Sequence, residues 1–474
     1  MRIVLAVFAC LLGVKVHAAV PDVALIDRSI WPERLESPAL FDVASRAEIL
    51  GFARALWLSE QQDEEALKAR LGLRYVNMAS INLLRHRLWV RLLENFRQAR
   101  VSCTTDANFC VYAQDMEQLR QRAEEFSIAP DSFYAAWGAP SALFHRQYLD
   151  ELLYKAALFP QTSSEIARYN SDELTGDDMP DRSFMLNFEG GPSPVNGDTD
   201  WLADFMRQQK MTATFFVLGK PLQARLNSSS ASALQNLYRQ QCVGIQGWEY
   251  RSHSQWRDWQ GSVQRSADLV ERILPDSMVP LFRPPYGHRR PDSGEFFRAQ
   301  DLRVSLWTID AQDNLGRLNS AQISDRVQTL MLLWRKGTVV FHDTGNRAQS
   351  ALPLLLANSA QSELTWEDCR TIERAPEDAQ QQEQQALEAQ ERHLQEALRA
   401  KEQQELEEQQ ALQEQQTSEE QPTDQEQPAQ APQEPQPQQP TPSEPGPAGA
   451  GPVQRIEPGQ MQMPASEADP DALN

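Results

Sequence analysis

A strand–helix–strand pattern near the middle of the chain constrains the fold most strongly. Residues 184–188 read Phe-Met-Leu-Asn-Phe, an apolar run typical of a buried strand, and Gly-Gly-Pro at 190–192 ends it abruptly. Apolar residues then recur at helical spacing over 201–206, and residues 213–218 form a second apolar run. The pattern predicts a βαβ unit of a parallel sheet. Glu189 then lies at the C-terminal edge of the first strand, where such sheets place their functional side chains.

Two segments of this unit and four segments after it occur in a fixed order, and together they carry a resemblance. They read Asn-Phe-Glu-Gly-Gly-Pro-Ser at 187–193, Ala-Thr-Phe-Phe-Val at 213–217, Gly-Trp-Glu-Tyr-Arg-Ser-His at 247–253, Phe-Arg-Pro-Pro-Tyr-Gly at 282–287, Trp-Thr-Ile-Asp-Ala-Gln-Asp at 307–313 and Val-Val-Phe-His-Asp at 339–343. This series resembles the polysaccharide deacetylase family, also called the NodB homology domain or carbohydrate esterase family 4. The resemblance implies an α/β fold, a distorted (β/α)7-type barrel over residues 183–370.

The resemblance also implies a role for each matching position. In this family one aspartate is the general base, a histidine protonates the leaving amine, an arginine orients the base and a further aspartate holds that histidine. These catalytic positions are Glu189, His342, Arg283 and Asp313 in this chain. The positions expected to contact substrate are Pro285, Tyr286 and Trp307, with Tyr286 where the family uses a backbone N–H to stabilise an oxyanion.

The metal-binding positions depart from the family pattern. The family holds a divalent metal, usually zinc, with an aspartate and two histidines, and this chain has Gly190, Glu249 and His253 there. Glycine offers no ligand atom, whereas catalytic zinc usually has three protein ligands. Glu249 and His253 are the remaining candidate ligands, and they share one side of the segment if it is helical.

Three interpretations stay open at this point. In the first, Glu189 joins Glu249 and His253 to hold zinc or a harder ion such as manganese, and the domain is a metal-dependent carbohydrate deacetylase. In the second, Glu189, Arg283, Asp313 and His342 form a metal-free acid/base site that acts on another bond. In the third, the cleft binds an N-acetylated cell-envelope or extracellular glycan without hydrolysing it. The sequence leaves open whether the protein is an enzyme.

The charge of the chain is uneven. The formal net charge is −21, and most of it lies C-terminal to residue 370. A basic stripe is missing, so the composition argues against nucleic-acid binding. Residues 375–418 are rich in Gln, Glu, Ala and Leu and predict a helix. Residues 419–474 are rich in Pro, Gln and Glu without aromatics and predict a disordered tail.

The N-terminus and the cysteines predict export. Residues 1–19 combine Met-Arg, a short apolar run and small residues, which is typical of a cleaved signal peptide. The four cysteines after it favour disulfides in an oxidising compartment, the periplasm or the extracellular space. We expect Cys103 to pair with Cys110 across a short loop, and Cys242 to pair with Cys369. No later stretch is long and apolar enough for a membrane helix.

Residues 20–170 precede the barrel and repeat apolar residues at helical spacing. They predict an all-helical domain. The polar, Gly- and Pro-containing stretch 169–182 predicts a linker. A protein partner could bind through the helical domain or through the acidic tail.

Overall fold

The computed structural model describes residues 22–158, 168–170 and 172–371 of the 474-residue chain. The predicted signal peptide at 1–19, the predicted tail helix at 375–418 and the predicted disordered tail at 419–474 lie outside the described residues.

Helices form the first part of the described chain, as predicted. Ser37 starts the first helix because its hydroxyl accepts the N–H of Leu40, at 3.2 Å, and Pro38 fits the first helical position. The helices are α1 (Pro38–Glu60), α2 (Glu64–Leu71), α3 (Met78–Ala99), α4 (Met116–Glu125) and α5 (Ala135–Leu158). We call α1–α5 the helical layer.

Parallel strands form the second part, a half-barrel with helices between the strands. The strands are β1 (Ser183–Glu189), β2 (Thr214–Val217), β3 (Cys242–Ile245), β4 (Met278–Phe282), β5 (Arg303–Val304), β6 (Ile309–Asp310), β7 (Gly337–His342) and β8 (Thr365–Trp366). Their order is β5-β4-β3-β2-β1-β7-β6, with β8 paired to the start of β1. The predicted βαβ unit is therefore confirmed at the centre of the sheet.

The connecting helices complete the α/β fold. They are α6 (Asp198–Gln208), α7 (Gly219–Ser228), α8 (Ala231–Leu237), α9 (Trp259–Ile273), α10 (Gly294–Ala299), α11 (Ser320–Trp334) and α12 (Arg347–Ser359). Among these, α11 is buried along most of its length, because it packs against the sheet on one side and against the helical layer on the other.

Polar as well as apolar contacts attach the helical layer to α11. The hydroxyl of Ser45 donates to the carbonyl of Leu332 at 2.7 Å, and the indole of Trp334 donates to Tyr148 at 2.9 Å. Buried apolar side chains of the layer and of the half-barrel belong to one continuous core. The two parts therefore share a core within one compact unit.

The stretch predicted as a linker is packed rather than free over residues 172–182. Leu174 makes a parallel bridge to Ser305, next to β5, and the carbonyl of Thr175 accepts from the hydroxyls of Thr308 and Thr338. The buried carboxylate of Glu173 pairs with Arg289. The linker prediction is wrong here, because backbone pairing and a buried ion pair outweigh a polar composition.

Both predicted disulfides are present. Cys103 bonds to Cys110, and Cys242 at the start of β3 bonds to Cys369, after β8. None of the helices in the described ranges is long and apolar enough to cross a bilayer.

Candidate functional site

The ends of the parallel strands bring the four predicted catalytic residues together. Glu189 ends β1 and His342 ends β7, and the two are direct partners in the register of this strand pair. Arg283 follows β4, and Asp313 lies shortly after β6. Since the C-terminal ends of parallel strands meet at one edge, these residues lie together although they are far apart in sequence, and we call this edge of the sheet the cleft.

Asp313 holds His342 from two sides. One carboxylate oxygen lies 2.8 Å from Nδ1 of His342, and the other accepts the backbone N–H of His342 at 3.0 Å. Burial alone would lower the pKa of His342, but the negative charges of Asp313, Glu189 and Asp310 outweigh it and raise that pKa to about 10. The imidazole is therefore cationic at neutral pH, and its Nε2–H faces Glu189.

Glu189 lies among three polar groups. Its carboxylate oxygens are 3.6 Å from Nε2 of His342 and 3.5 Å from Nη1 of Arg283. The hydroxyl of Tyr250 donates to the same carboxylate at 3.3 Å. Glu189 is buried, so two cations and a hydroxyl compensate its charge.

Arg283 is fixed in the interior of the half-barrel. Its guanidinium donates to the side chain of Asn187 at 2.5 Å and to the carbonyl of Leu306 at 2.8 Å, and it lies 4.1 Å over the ring of Phe216. Burial lowers the pKa of Arg283 to about 10, opposed by Glu189. Nη1 of Arg283 and Oε2 of Glu189 are both buried and face each other at 3.5 Å as an ion pair, so Arg283 holds the carboxylate of Glu189 in place.

The predicted metal ligands do not converge. Residues 247–253 are irregular, bend and turn rather than helix, so the condition under which Glu249 and His253 would share one side of a helix is not met. Glu249 is 43% exposed and pairs with Lys220 at 3.2 Å. His253 is buried, with Nδ1 2.8 Å from the carbonyl of Arg251 and Nε2 3.1 Å from the hydroxyl of Ser262.

These placements do not fit the divalent metal that the family implies. Both ring nitrogens of His253 already have hydrogen-bond partners, and burial lowers its pKa to about 4. The imidazole is therefore neutral and hydrogen-bonded within the protein. Gly190 contributes no side-chain donor. Glu189 bonds to Tyr250 and faces Arg283 and His342 instead of joining Glu249. Among residues 22–158, 168–170 and 172–371, no three His, Cys, Asp or Glu side chains form a metal-binding group.

The three predicted substrate positions have different surroundings. Tyr286 is 49% exposed, and its ring meets that of Tyr250 edge-on at 4.7 Å. Pro285 is buried beside it. Trp307 lies instead under Arg283, 5.7 Å away, and lines a cavity of about 20 Å³ that also touches α3 and α5. We therefore place Tyr286 at the rim of the cleft and Trp307 between the half-barrel and the helical layer.

Sequence reasoning missed three contributors to the cleft. Tyr250 donates to Glu189, Asn187 anchors Arg283, and Asp310 adds negative charge near His342. Asn187 and Asp310 stand inside segments that carried the resemblance, at or near strand ends, so their position was a usable signal. Tyr250 also stands inside such a segment, but it lies in an irregular loop, and the sequence does not show which way such a loop turns its side chain.

Comparisons with known proteins agree with this fold. Residues 176–304 match the family model described as polysaccharide deacetylase. The curated peptidoglycan-N-acetylmuramic acid deacetylase PdaC of Bacillus subtilis (strain 168) is 26% identical over 204 residues, 42% of this chain. The match spans 40% of that relative's own length.

Solved structures give similar matches. A peptidoglycan N-acetylglucosamine deacetylase is 17% identical with a TM-score of 0.37, covering 42% of this chain and 92% of that one. A Bacillus anthracis protein described as a pseudoenzyme of carbohydrate esterase family 4 is 16% identical with a TM-score of 0.36, covering 43% of this chain and 68% of that one.

Proposed function

We propose that this protein is an exported glycan-binding protein whose deacetylase-type cleft binds N-acetylated polysaccharide without metal-dependent hydrolysis. The proposal rests on one observation, which concerns the three positions that hold the metal in the family. Gly190 has no ligand atom, Glu249 pairs with Lys220, and both nitrogens of His253 are hydrogen-bonded. Removing zinc ligands weakens both metal affinity and the activation of water.

The remaining polar groups suit an acetamido group. The Nε2–H of cationic His342 is a donor, and the carboxylate of Glu189, 3.6 Å away, is an acceptor. An acetamide carbonyl can accept from the first while a neighbouring sugar hydroxyl donates to the second, and hydrogen bonds to charged groups are the stronger kind. Tyr286 at the rim offers a ring face on which a sugar can pack.

Export is supported by the cysteines. All four cysteines after residue 19 form disulfides, which persist in oxidising compartments and are rare in the cytosol. A protein partner for the helical layer or the acidic tail stays a prediction.

Binding of N-acetylglucosamine oligomers, measured by calorimetry against the matching deacetylated oligomers, tests the proposal. We expect binding of the acetylated oligomer, at least about tenfold weaker binding of the deacetylated one, and loss of binding in Glu189→Gln and His342→Gln. Glu249→Gln, at an exposed ion pair, is the matched control and should bind normally. Equal affinity for both oligomers, or binding to neither, would overturn the proposal.

A second candidate is metal-free acid/base chemistry, favoured by the closeness of Glu189 and His342. A general acid/base pair works best when its pKa values lie near the operating pH, and a pKa of about 10 for His342 is far from it. Hydrolysis of the oligomer by metal-free protein, abolished in His342→Gln, would favour this candidate over binding alone.

A further inference from the structure

A buried ion pair joins the helical layer to the half-barrel near the cleft. The guanidinium of Arg326 in α11 is 1% exposed and donates to both carboxylate oxygens of Glu151 in α5, at 2.9 and 2.8 Å. A guanidinium held to a carboxylate by two bonds fixes direction as well as distance. The relative position of α5 and α11 is therefore fixed at this point.

The same pair also binds the backbone of two other elements. Arg326 donates to the carbonyl of Ala24 at 3.0 Å and to the carbonyl of Asp310 at 3.3 Å. Glu151 accepts the backbone N–H of Ala24 at 2.6 Å. Because Asp310 is the last residue of β6, this pair connects the end of β6 with α5 and with the segment before α1.

Asp310 begins the turn that presents Asp313 to His342. Its carboxylate accepts the backbone N–H and the side-chain amide of Gln312, at 2.9 and 2.7 Å. Asp313 follows directly and holds His342. Burial raises the pKa of Asp310, and the positive charge of Lys155 partly opposes that rise. Lys155 lies one helical turn after Glu151 on α5, so this face of α5 lies near the turn at Asp310.

We propose that Glu151, acting through Arg326, is a positioning residue of the cleft, which holds residues 310–313 so that Asp313 orients His342. The helical layer then helps to set the geometry of the cleft and is not an independent module. The inference concerns the geometry of the cleft, whichever of the two candidate functions the cleft serves.

The proton on Nδ1 of His342 provides the readout. A histidine N–H bonded to a carboxylate gives a far-downfield proton resonance, which is assigned here by its absence in His342→Gln. We expect the full-length protein to show this resonance and Glu151→Gln to lose it or shift it upfield. Asp150→Asn is the matched control: Asp150 neighbours Glu151 on α5 and pairs with Arg70 at 2.7 Å, within the helical layer. We expect it to keep the resonance unchanged.

If Glu151→Gln does not fold, Arg326→Lys tests the same proposal. Lysine keeps the charge but not the two-bond geometry, so we expect the same loss or shift of the resonance. An unchanged resonance in a folded variant at either position, or an equal loss in Asp150→Asn, would overturn the proposal. No glycan is present in the experiment, so its failure leaves the proposed function untouched.

Discussion

His342 is buried among carboxylates, and its charge state links the cleft to the stability of the fold. The pKa of a free histidine is 6.5, and in the folded protein that of His342 rises to about 10. The folded state therefore binds the proton more tightly than the unfolded chain. This contribution to stability is complete below pH 6.5 and is lost as the pH rises through about 10.

We predict that the free energy of unfolding falls between pH 6.5 and 10 in the full-length protein and falls less in His342→Gln. Denaturant unfolding across this range measures the difference. His288→Gln changes a half-buried histidine that does not contact Glu189 or Asp313, so this control should keep the pH dependence of the full-length protein. Identical slopes in the full-length protein and His342→Gln would contradict the assignment of the proton to His342.

Gly190 shows why restoring one family residue should not restore a metal site. Its φ is +95°, and a Cβ there would lie 3.4 Å from the hydroxyl of Thr344. We predict that Gly190→Asp and Gly190→Ala both lose about 1–2 kcal/mol of unfolding free energy, the usual cost of a left-handed residue. Neither variant should bind zinc, as measured by calorimetry, because His253 stays engaged. Zinc binding by Gly190→Asp but not by Gly190→Ala would contradict this and show that the other residues can still hold a metal.

The residues of the cleft could be predicted wherever they follow a strand. Glu189 and His342 end buried apolar runs, so parallel pairing places them side by side. Glu249 and His253 could not be placed, because their loop follows no periodic pattern. The hydrogen bonds of His253 to Arg251 and Ser262 and the ion pair of Glu249 with Lys220 hold this loop, and no periodic pattern in the sequence indicates these contacts.

At the scale of elements, the two disulfides close loops of very different length. Cys103 and Cys110 are 7 residues apart, whereas Cys242 and Cys369 are 127 apart and connect β3 with the segment after β8. A longer closed loop restricts the unfolded chain more. The second bridge should therefore contribute more to stability.

We predict that Cys242→Ser with Cys369→Ser costs roughly 2–5 kcal/mol of unfolding free energy. Cys103→Ser with Cys110→Ser, the matched control with the short loop, should cost less. Denaturant unfolding of the two double variants under one buffer condition gives the comparison. A larger loss from the short-loop variant would contradict this ranking.

At the scale of the whole molecule, the helical layer and the half-barrel depend on each other. Periodicity predicted the helical domain and the family resemblance implied the barrel, but neither shows that α11 lies between them. The apolar character of α11 is the visible sign, since residues 327–334 are buried on all sides. The contacts of Ser45, Arg326 and Trp334 that attach the layer join residues far apart in the chain.

We predict that a chain starting at residue 168, without the helical layer, does not fold cooperatively. Its α11 would expose a large apolar surface and leave Arg326 without Glu151. A chain ending at residue 371 keeps every described contact and is the control. Circular dichroism during thermal unfolding compares the two. A cooperative transition in the shorter half-barrel chain would show that the layer is dispensable for folding.

The central claim is that the cleft lacks a working metal site, and metal stoichiometry tests it most directly. Metal-free full-length protein is equilibrated with zinc or manganese, and the bound metal is measured by mass spectrometry beside His253→Ala and Glu249→Gln. We predict well under one ion per chain, with the same value in both variants. One ion per chain that is lost in His253→Ala would contradict the claim.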